Sequence, residues 1–223
     1  MGEKKEPRFK SNSPRFKEAF GFAAELHADQ TRKGTDVPYI AHLMGVSSNA
    51  IEYGGGEDEA IAALLHDAPE DCGGRPVLEE IRARFGDRVA DIVEACTDTF
   101  EEPKPEWIER KVRYVAHIKH STPQARLVSA ADKLYNVTAI LKDYRAIGEK
   151  VFERFKKTKW HVLWYYRTLA REFLSADVNE LNREFARTVA ELENLVEADS
   201  TLEELEERDR IYRELDSEVA KSQ

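Results

Sequence analysis

The chain has 223 residues, 41% of them apolar, which is enough for one generous domain or for a domain with an appendage. Its 34 lysines and arginines face 43 acids, and the formal net charge of −9 argues against a protein that wraps nucleic acid nonspecifically; any anionic ligand must be met by local basic groups. No run approaches the roughly 18 uninterrupted apolar residues of a bilayer crossing, and the start MGEKKEPRFK lacks the apolar core of a signal peptide, so a cytoplasmic protein with no membrane partner is expected.

Helical periodicity runs through almost the whole chain, and no stretch shows the sustained period-two alternation of a sheet, so the expected fold is all-α. Helices are predicted over 14–32, 40–53, 57–67, 77–84, 87–99, 105–120, 123–144, 149–155, 159–175, 178–197 and 201–219. Gly34, Gly54-Gly55-Gly56, Gly73-Gly74, Gly86 and the segment EEPKPEW at 101–107 supply the breaks. Cys72 and Cys96 form neither a CxxC pair nor a spaced metal set and are expected to be two small buried hydrophobes. In KWHVLWYYRTL (159–169) the aromatic residues recur at helical spacing, which favours core packing.

Residues 1–176 are expected to form the main domain and 177–223 a C-terminal helical extension, rich in Glu, Leu and Arg. There Leu181, Phe185, Thr188, Val189, Leu192 and Leu195 fall on one stripe, and Ser200 with Glu203 has capping-box spacing ahead of Leu202, Leu205, Tyr212, Leu215 and Val219. Such an α-hairpin either covers an apolar patch of its own domain or forms a subunit interface, which leaves a homo-oligomer open.

The segment AALLHDAPEDC (62–72) carries the densest chemistry, with His66, Asp67, Glu70 and Asp71 gathered around Pro69. Successive residues on a helix point about 100° apart, so His66 and Asp67 can face one ion only near a helix end. Pro69 is expected to provide that end, pushing Ala68 out of the α region and letting the chain turn Glu70 and Asp71 back over the same spot. His42, in PYIAHLMGV, and Asp132, in RLVSAADKLYNVTAIL, lie among apolar neighbours, where an unpaired acid is costly to bury. Taken singly, His42 could be a hydrogen-bonded core histidine and Asp132 could pair with Lys133 or Arg126. Arg32 and Lys33 form a compact basic pair able to meet a phosphate or stack on a base, or simply one favoured by a helix C-terminus. Lys111 is a weaker phosphate candidate, and Tyr135 could pack on a ribose or on the core. His27, His117, His120 and His161 lack acidic companions in a recognisable pattern and are read as surface or core residues.

Taken in order, RKG (32–34), PYIAH (38–42), LLHDAPED (64–71), TD (97–98) and ADKLYN (131–136) resemble the hydrolase half of the Rel/Spo alarmone enzymes and the stand-alone small alarmone hydrolases, members of the HD-domain phosphohydrolases. The similarity covers roughly residues 15–175 and says nothing of the C-terminal hairpin. It implies an HD-domain helical bundle in which His42, His66, Asp67 and Asp132 ligate one divalent metal, usually manganese, while Glu70 and Asp71 handle the catalytic water and its protons. It also implies that Asn136, one turn after Asp132, contacts the nucleotide. Leu43 stands where the family usually has proline, and Pro69 fills a variable slot; neither change removes chemistry. The chain has no room for a synthetase domain beside the hydrolase, so a bifunctional enzyme is not expected.

Imidazoles and carboxylates without thiolate suit manganese, iron or zinc and do not decide among Mn2+, Fe2+ and Zn2+. Water on such an ion loses a proton near neutral pH, and a neighbouring carboxylate can take or relay it. The expected activity is removal of the 3′-pyrophosphate from guanosine tetra- and pentaphosphate alarmones. The rivals are an HD nucleotidase or phosphatase acting on adenosine analogues or NADPH, and a non-catalytic nucleotide-binding or antitoxin-like module.

Overall fold

A helix that is apolar all round has no face to offer water and must be covered on every side. Residues Ala60–Leu65 are such a run, each at most 1% exposed in the computed structural model of the chain, and they make α3 (Glu57–Leu65) the centre of a helical bundle. Burial of Ile61, Leu64 and Leu65 contributes roughly 1.5–3 kcal/mol apiece. The structure describes residues 8–10 and 12–222; these form eleven α-helices and one 3-10 segment, with only an isolated bridge, Thr31 to Pro38, in extended conformation among the described residues.

The helices divide between two compact units. The first comprises Met1–Phe100 and Thr122–Asp132, the second Glu101–Ser121 and Lys133–Gln223.

In the first unit, α3 packs on α1 (Pro14–Leu26), α2 (Ile40–Glu52) and α6 (Asp87–Cys96); α4 (Ala68–Cys72) and α5 (Arg75–Phe85) complete the layer, and residues 123–132 open α8 (Pro123–Ile147). Its acidic first turn, Glu57, Asp58 and Glu59, complements the helix dipole. The Gly56 N–H donates to Glu59 Oε2 at 2.8 Å, while Arg15 holds Glu57 Oε2 at 2.7 Å, Asp58 Oδ1 at 2.9 Å and the Phe85 carbonyl at 2.8 Å. A side chain at Gly55 would place its Cβ 2.7 Å from the Ala50 carbonyl oxygen, so α2 and α3 can meet this closely only across a glycine.

Two departures from the expected boundaries bear on the site. Helix α1 stops at Leu26 instead of 32, because the polar stretch that follows has no apolar stripe and its backbone groups pair across a loop: Arg32 N with Val37 O at 2.8 Å and Tyr39 N with Gln30 O at 2.9 Å. Ala68 is not expelled from the α region. It opens the short α4, with Pro69 in the first turn, where a missing N–H costs nothing, and the change of direction falls one residue earlier, at Asp67 (φ −93°, ψ −8°).

The second unit comprises α7 (Trp107–Ile118), the remainder of α8, the 3-10 segment (Gly148–Arg154), α9 (Lys159–Ala176), α10 (Glu180–Ala198) and α11 (Leu202–Ser222). The aromatic run of α9 is core, as its spacing predicts: Trp160 and Trp164 are 1% exposed. Helix α10 lies on α9, and α11 lies on α7 and α9, so the C-terminal helices cover the unit's own apolar surface. The capping box sits one residue later than expected. Thr201 N donates to Glu204 Oε2 at 2.8 Å and Glu204 N to Thr201 Oγ1 at 3.3 Å, whereas the Ser200 hydroxyl turns back to the Val196 carbonyl at 2.7 Å. Leu202, at 74% exposure, and Leu195 fall outside the buried stripe expected of them.

Candidate metal centre

Three elements of the first unit deliver four side chains to one place. His42 comes from the first turn of the amphipathic α2, His66 and Asp67 from the junction of α3 and α4, and Asp132 from residues 123–132 of α8. Potential ligand atoms of His42, His66 and Asp67 lie within 4.8 Å of one another. His42 Nε2 is 3.3 Å from both Asp67 Oδ2 and Asp132 Oδ1; His66 Nε2 is 3.0 Å from Asp67 Oδ2 and 3.6 Å from Asp132 Oδ1. His42, His66 and Asp132 are at most 5% exposed. Asn49 Nδ2 donates to the Ala131 carbonyl at 3.2 Å, which ties α2 to the backbone just ahead of Asp132.

A backbone carbonyl fixes the imidazole of His66. Its Nδ1 lies 2.9 Å from the Ala63 carbonyl, which can only accept, so Nδ1 carries a proton and, in the neutral ring, the lone pair falls on Nε2. That Nε2 is buried and makes no well-aligned hydrogen bond, although two carboxylates stand near it. Burial opposes a charge on His66, yet Asp67 and Asp132 overcome it and raise the imidazole well above its ordinary value. Burial likewise works against an ionised Asp67, but His66 and His42 hold its carboxyl well below the usual range. Both directions express a demand for positive charge between the carboxylates, and two imidazoles with two carboxylates and no thiolate fit a divalent cation.

Glu70 and Asp71 follow in α4. The Asp71 N–H donates to the Asp67 carbonyl at 3.0 Å, which puts Asp71 one turn beyond Asp67. Gln30 Nε2 donates to Asp71 Oδ2 at 2.8 Å, and Gln30 Oε1 pairs with His27 Nδ1 at 2.6 Å. The Asp98 N–H, in the TD pair, donates to Glu70 Oε2 at 3.4 Å. Arg32 and Lys33 are carried by the loop between α1 and α2 and not by a helix end; the Arg32 guanidinium lies 5.8 Å from the centroid of the Tyr39 ring. Asn136 and Lys111 belong to the second unit, Asn136 half-buried on α8 and Lys111 on α7 with its ammonium 5.0 Å over the Tyr165 ring. Asp132 faces the imidazoles, and the Lys133 ammonium rests 5.1 Å over the Tyr114 ring.

Tyr39 was not legible as a site residue. Its hydroxyl donates to Asp67 Oδ2 at 2.6 Å, and burial, then the Asp67 carboxylate, push that hydroxyl far above its ordinary value, so it stays a donor. The one signal for it is its position one turn before His42 in PYIAH. His27 proves to be a core residue, 3% exposed, while His117 and His120 are exposed. Cys72 and Cys96 are free but only half-buried, their thiols turned to the carbonyls of Leu26 at 3.4 Å and Ala125 at 3.9 Å. Burial first, then Asp71 and Asp67, push the Cys72 thiol up to about 11.

An all-helical fold that gathers paired histidines and aspartates from separate helices defines a class of metal-site proteins, and the comparisons agree on which. Residues 19–158 match the HD domain model, and the chain belongs to the HD-domain family. It is 45% identical over 123 residues to the guanosine-3′,5′-bis(diphosphate) 3′-pyrophosphohydrolase MESH1 of Xenopus tropicalis, covering 54% of this chain and 66% of that protein. The corresponding Mus musculus protein is 41% identical over 130 residues, 57% of this chain and 70% of its own length. Among solved structures, one described as a metazoan ortholog of SpoT that hydrolyses ppGpp superposes with a TM-score of 0.67 at 24% identity, over 81% of this chain and 96% of that one; at this identity the likeness shows the fold. Among the described residues, no helix is long and apolar enough to cross a membrane.

Proposed function

We propose that this chain is a manganese-dependent hydrolase that removes the 3′-pyrophosphate from guanosine tetra- and pentaphosphate, working in the cytoplasm on a free nucleotide. The single observation that supports it most is the convergence of His42, His66, Asp67 and Asp132 within a few ångströms, in a chain 41% identical to a 3′-pyrophosphohydrolase over 70% of that protein's length. Residues 1–176 carry the chemistry and 177–223 form a helical extension that packs on it.

His42, His66, Asp67 and Asp132 would hold the ion. When bound, it supplies Lewis-acid polarisation of the phosphoryl group and an acidified water. The remaining work falls to side chains. Glu70, steadied by the Asp98 N–H, and Asp71, steadied by Gln30, accept and relay the proton of the attacking water and deliver one to the leaving oxygen. Arg32 and Lys33 meet phosphate oxygens, with the guanidinium able to do so through paired N–H groups. The burial of the imidazoles keeps bulk water from competing for the ligands.

The experiment is to incubate purified protein with manganese and the tetraphosphate and to identify the products. Pyrophosphate together with the 5′-diphosphate supports the assignment; orthophosphate alone would move it to a phosphatase, and no product would remove the substrate while leaving the metal centre to be tested by binding.

A further inference from the structure

Tyr39 closes the loop that carries Arg32 and Lys33, and its ring is fixed from two sides. It stacks on the buried His27 at 5.1 Å between centroids and 22° between planes, and tilts against His42 at 5.3 Å and 60°. Its backbone N–H is anchored to the Gln30 carbonyl at 2.9 Å. A ring with so little freedom delivers its hydroxyl in one direction, and that direction is Asp67 Oδ2, at 2.6 Å.

Asp67 is also the ligand candidate most in need of an external support. It sits outside both α3 and α4, at the change of chain direction, and its side chain is 23% exposed where those of His42 and His66 are at most 2%. A carboxylate there could otherwise rotate toward water. A short bond from a neutral hydroxyl to an ionised oxygen is among the stronger hydrogen bonds available and restrains both rotation and charge.

We propose that Tyr39 is a positioning residue for the metal centre: its hydroxyl holds the Asp67 carboxylate in the orientation that lets it ligate a divalent cation together with the two imidazoles and Asp132. This rests on the metal-centre assignment above. Loss of such a supporting hydrogen bond typically lowers metal affinity about 10–100-fold.

The test is manganese binding to the intact chain, by calorimetry or by electron paramagnetic resonance of free Mn2+. Tyr39→Phe keeps the ring and its stacking and removes only the donor. It is expected to weaken Mn2+ binding about 10–100-fold, with little change in the melting temperature of the metal-free protein. In an Asp67→Ala background the same substitution is expected to have no further effect, because it acts through that carboxylate. Parent-like affinity in Tyr39→Phe, or an equal loss in both backgrounds, overturns the role. Should Tyr39→Phe fail to fold, a crystal structure of the parent with Mn2+ decides: the Tyr39 hydroxyl stays within hydrogen-bond distance of the Asp67 carboxylate, and separation of the two overturns the proposal. A parent that binds no Mn2+ overturns the metal centre and this role together, whereas equal binding by parent and variant overturns only the role.

Discussion

His42 Nε2 and Asp132 Oδ1 stand 3.3 Å apart, although one comes from α2 and the other from α8. Two such groups are costly to bury together without compensation, and a cation between them supplies it. Manganese is therefore expected to raise the melting temperature of the parent, by about 2.7 kcal/mol of stability when the free ion is 100 times its dissociation constant. Asp132→Ala should abolish that shift. The measurement is thermal unfolding with and without Mn2+; an undiminished shift in the variant contradicts a role for Asp132 as ligand.

Gln30 bridges His27 and Asp71, and an amide is the only part of it that can do so. Gln30→Met preserves length and removes both bonds. Turnover is expected to fall roughly tenfold, less than the ~10²–10⁴-fold that a positioned acid–base group contributes because Asp71 itself remains, with KM for the nucleotide little changed. Steady-state kinetics with manganese present checks this, and a rise in KM at constant kcat would instead place Gln30 in substrate binding.

The close approach of α2 to α3 makes a stability prediction independent of chemistry. A Cβ at Gly55 meets the Ala50 carbonyl at 2.7 Å, Glu59 Cβ at 3.1 Å and Leu127 Cδ2 at 3.2 Å. Backbone cannot move aside as a flexible side chain would, so Gly55→Ala should destabilise the protein by about 1–3 kcal/mol. Urea unfolding measures it; a neutral result would mean that α2 and α3 can separate without loss.

In the second unit Lys159 donates to Glu204 Oε1 at 2.7 Å. That bond, followed by those from Thr201, lowers the Glu204 carboxyl from its ordinary 4.5 to about 2. A carboxyl depressed on folding contributes stability above its unfolded value and loses it as pH falls through the folded one. The parent should thus weaken between pH 4.5 and about 2, and Lys159→Met should flatten that part of the profile. Denaturant unfolding across this range is the check, and an unchanged slope in the variant would remove the Lys159–Glu204 pair as its cause.

How much was legible follows from where each signal lies. All-α architecture, nearly every helix and the burial of the α9 aromatics are written in periodicity, a local property. The metal-site candidates His66 and Asp67 stood out beside a proline, but their meeting with His42 and Asp132 depends on packing between helices and entered through the resemblance of ordered motifs. What sequence could not supply was the loop from His27 to Tyr39. Its polar residues looked like the tail of α1, yet its backbone pairs across the loop, and only that pairing brings Gln30 and Tyr39 to Asp71 and Asp67. The cap at Thr201 was missed for a smaller reason: Ser200–Glu203 and Thr201–Glu204 have the same spacing, and geometry chose the second.

The most direct measurement is a titration of metal-free protein with Mn2+, following pyrophosphate release from guanosine tetraphosphate. Release should be absent without the ion, rise in proportion to added manganese and level off at one ion per chain, and it should not appear in His66→Ala at any manganese concentration that saturates the parent. Pyrophosphate release by the chelated protein, or undiminished release by His66→Ala, would contradict a single ion held by these four side chains as the seat of the reaction.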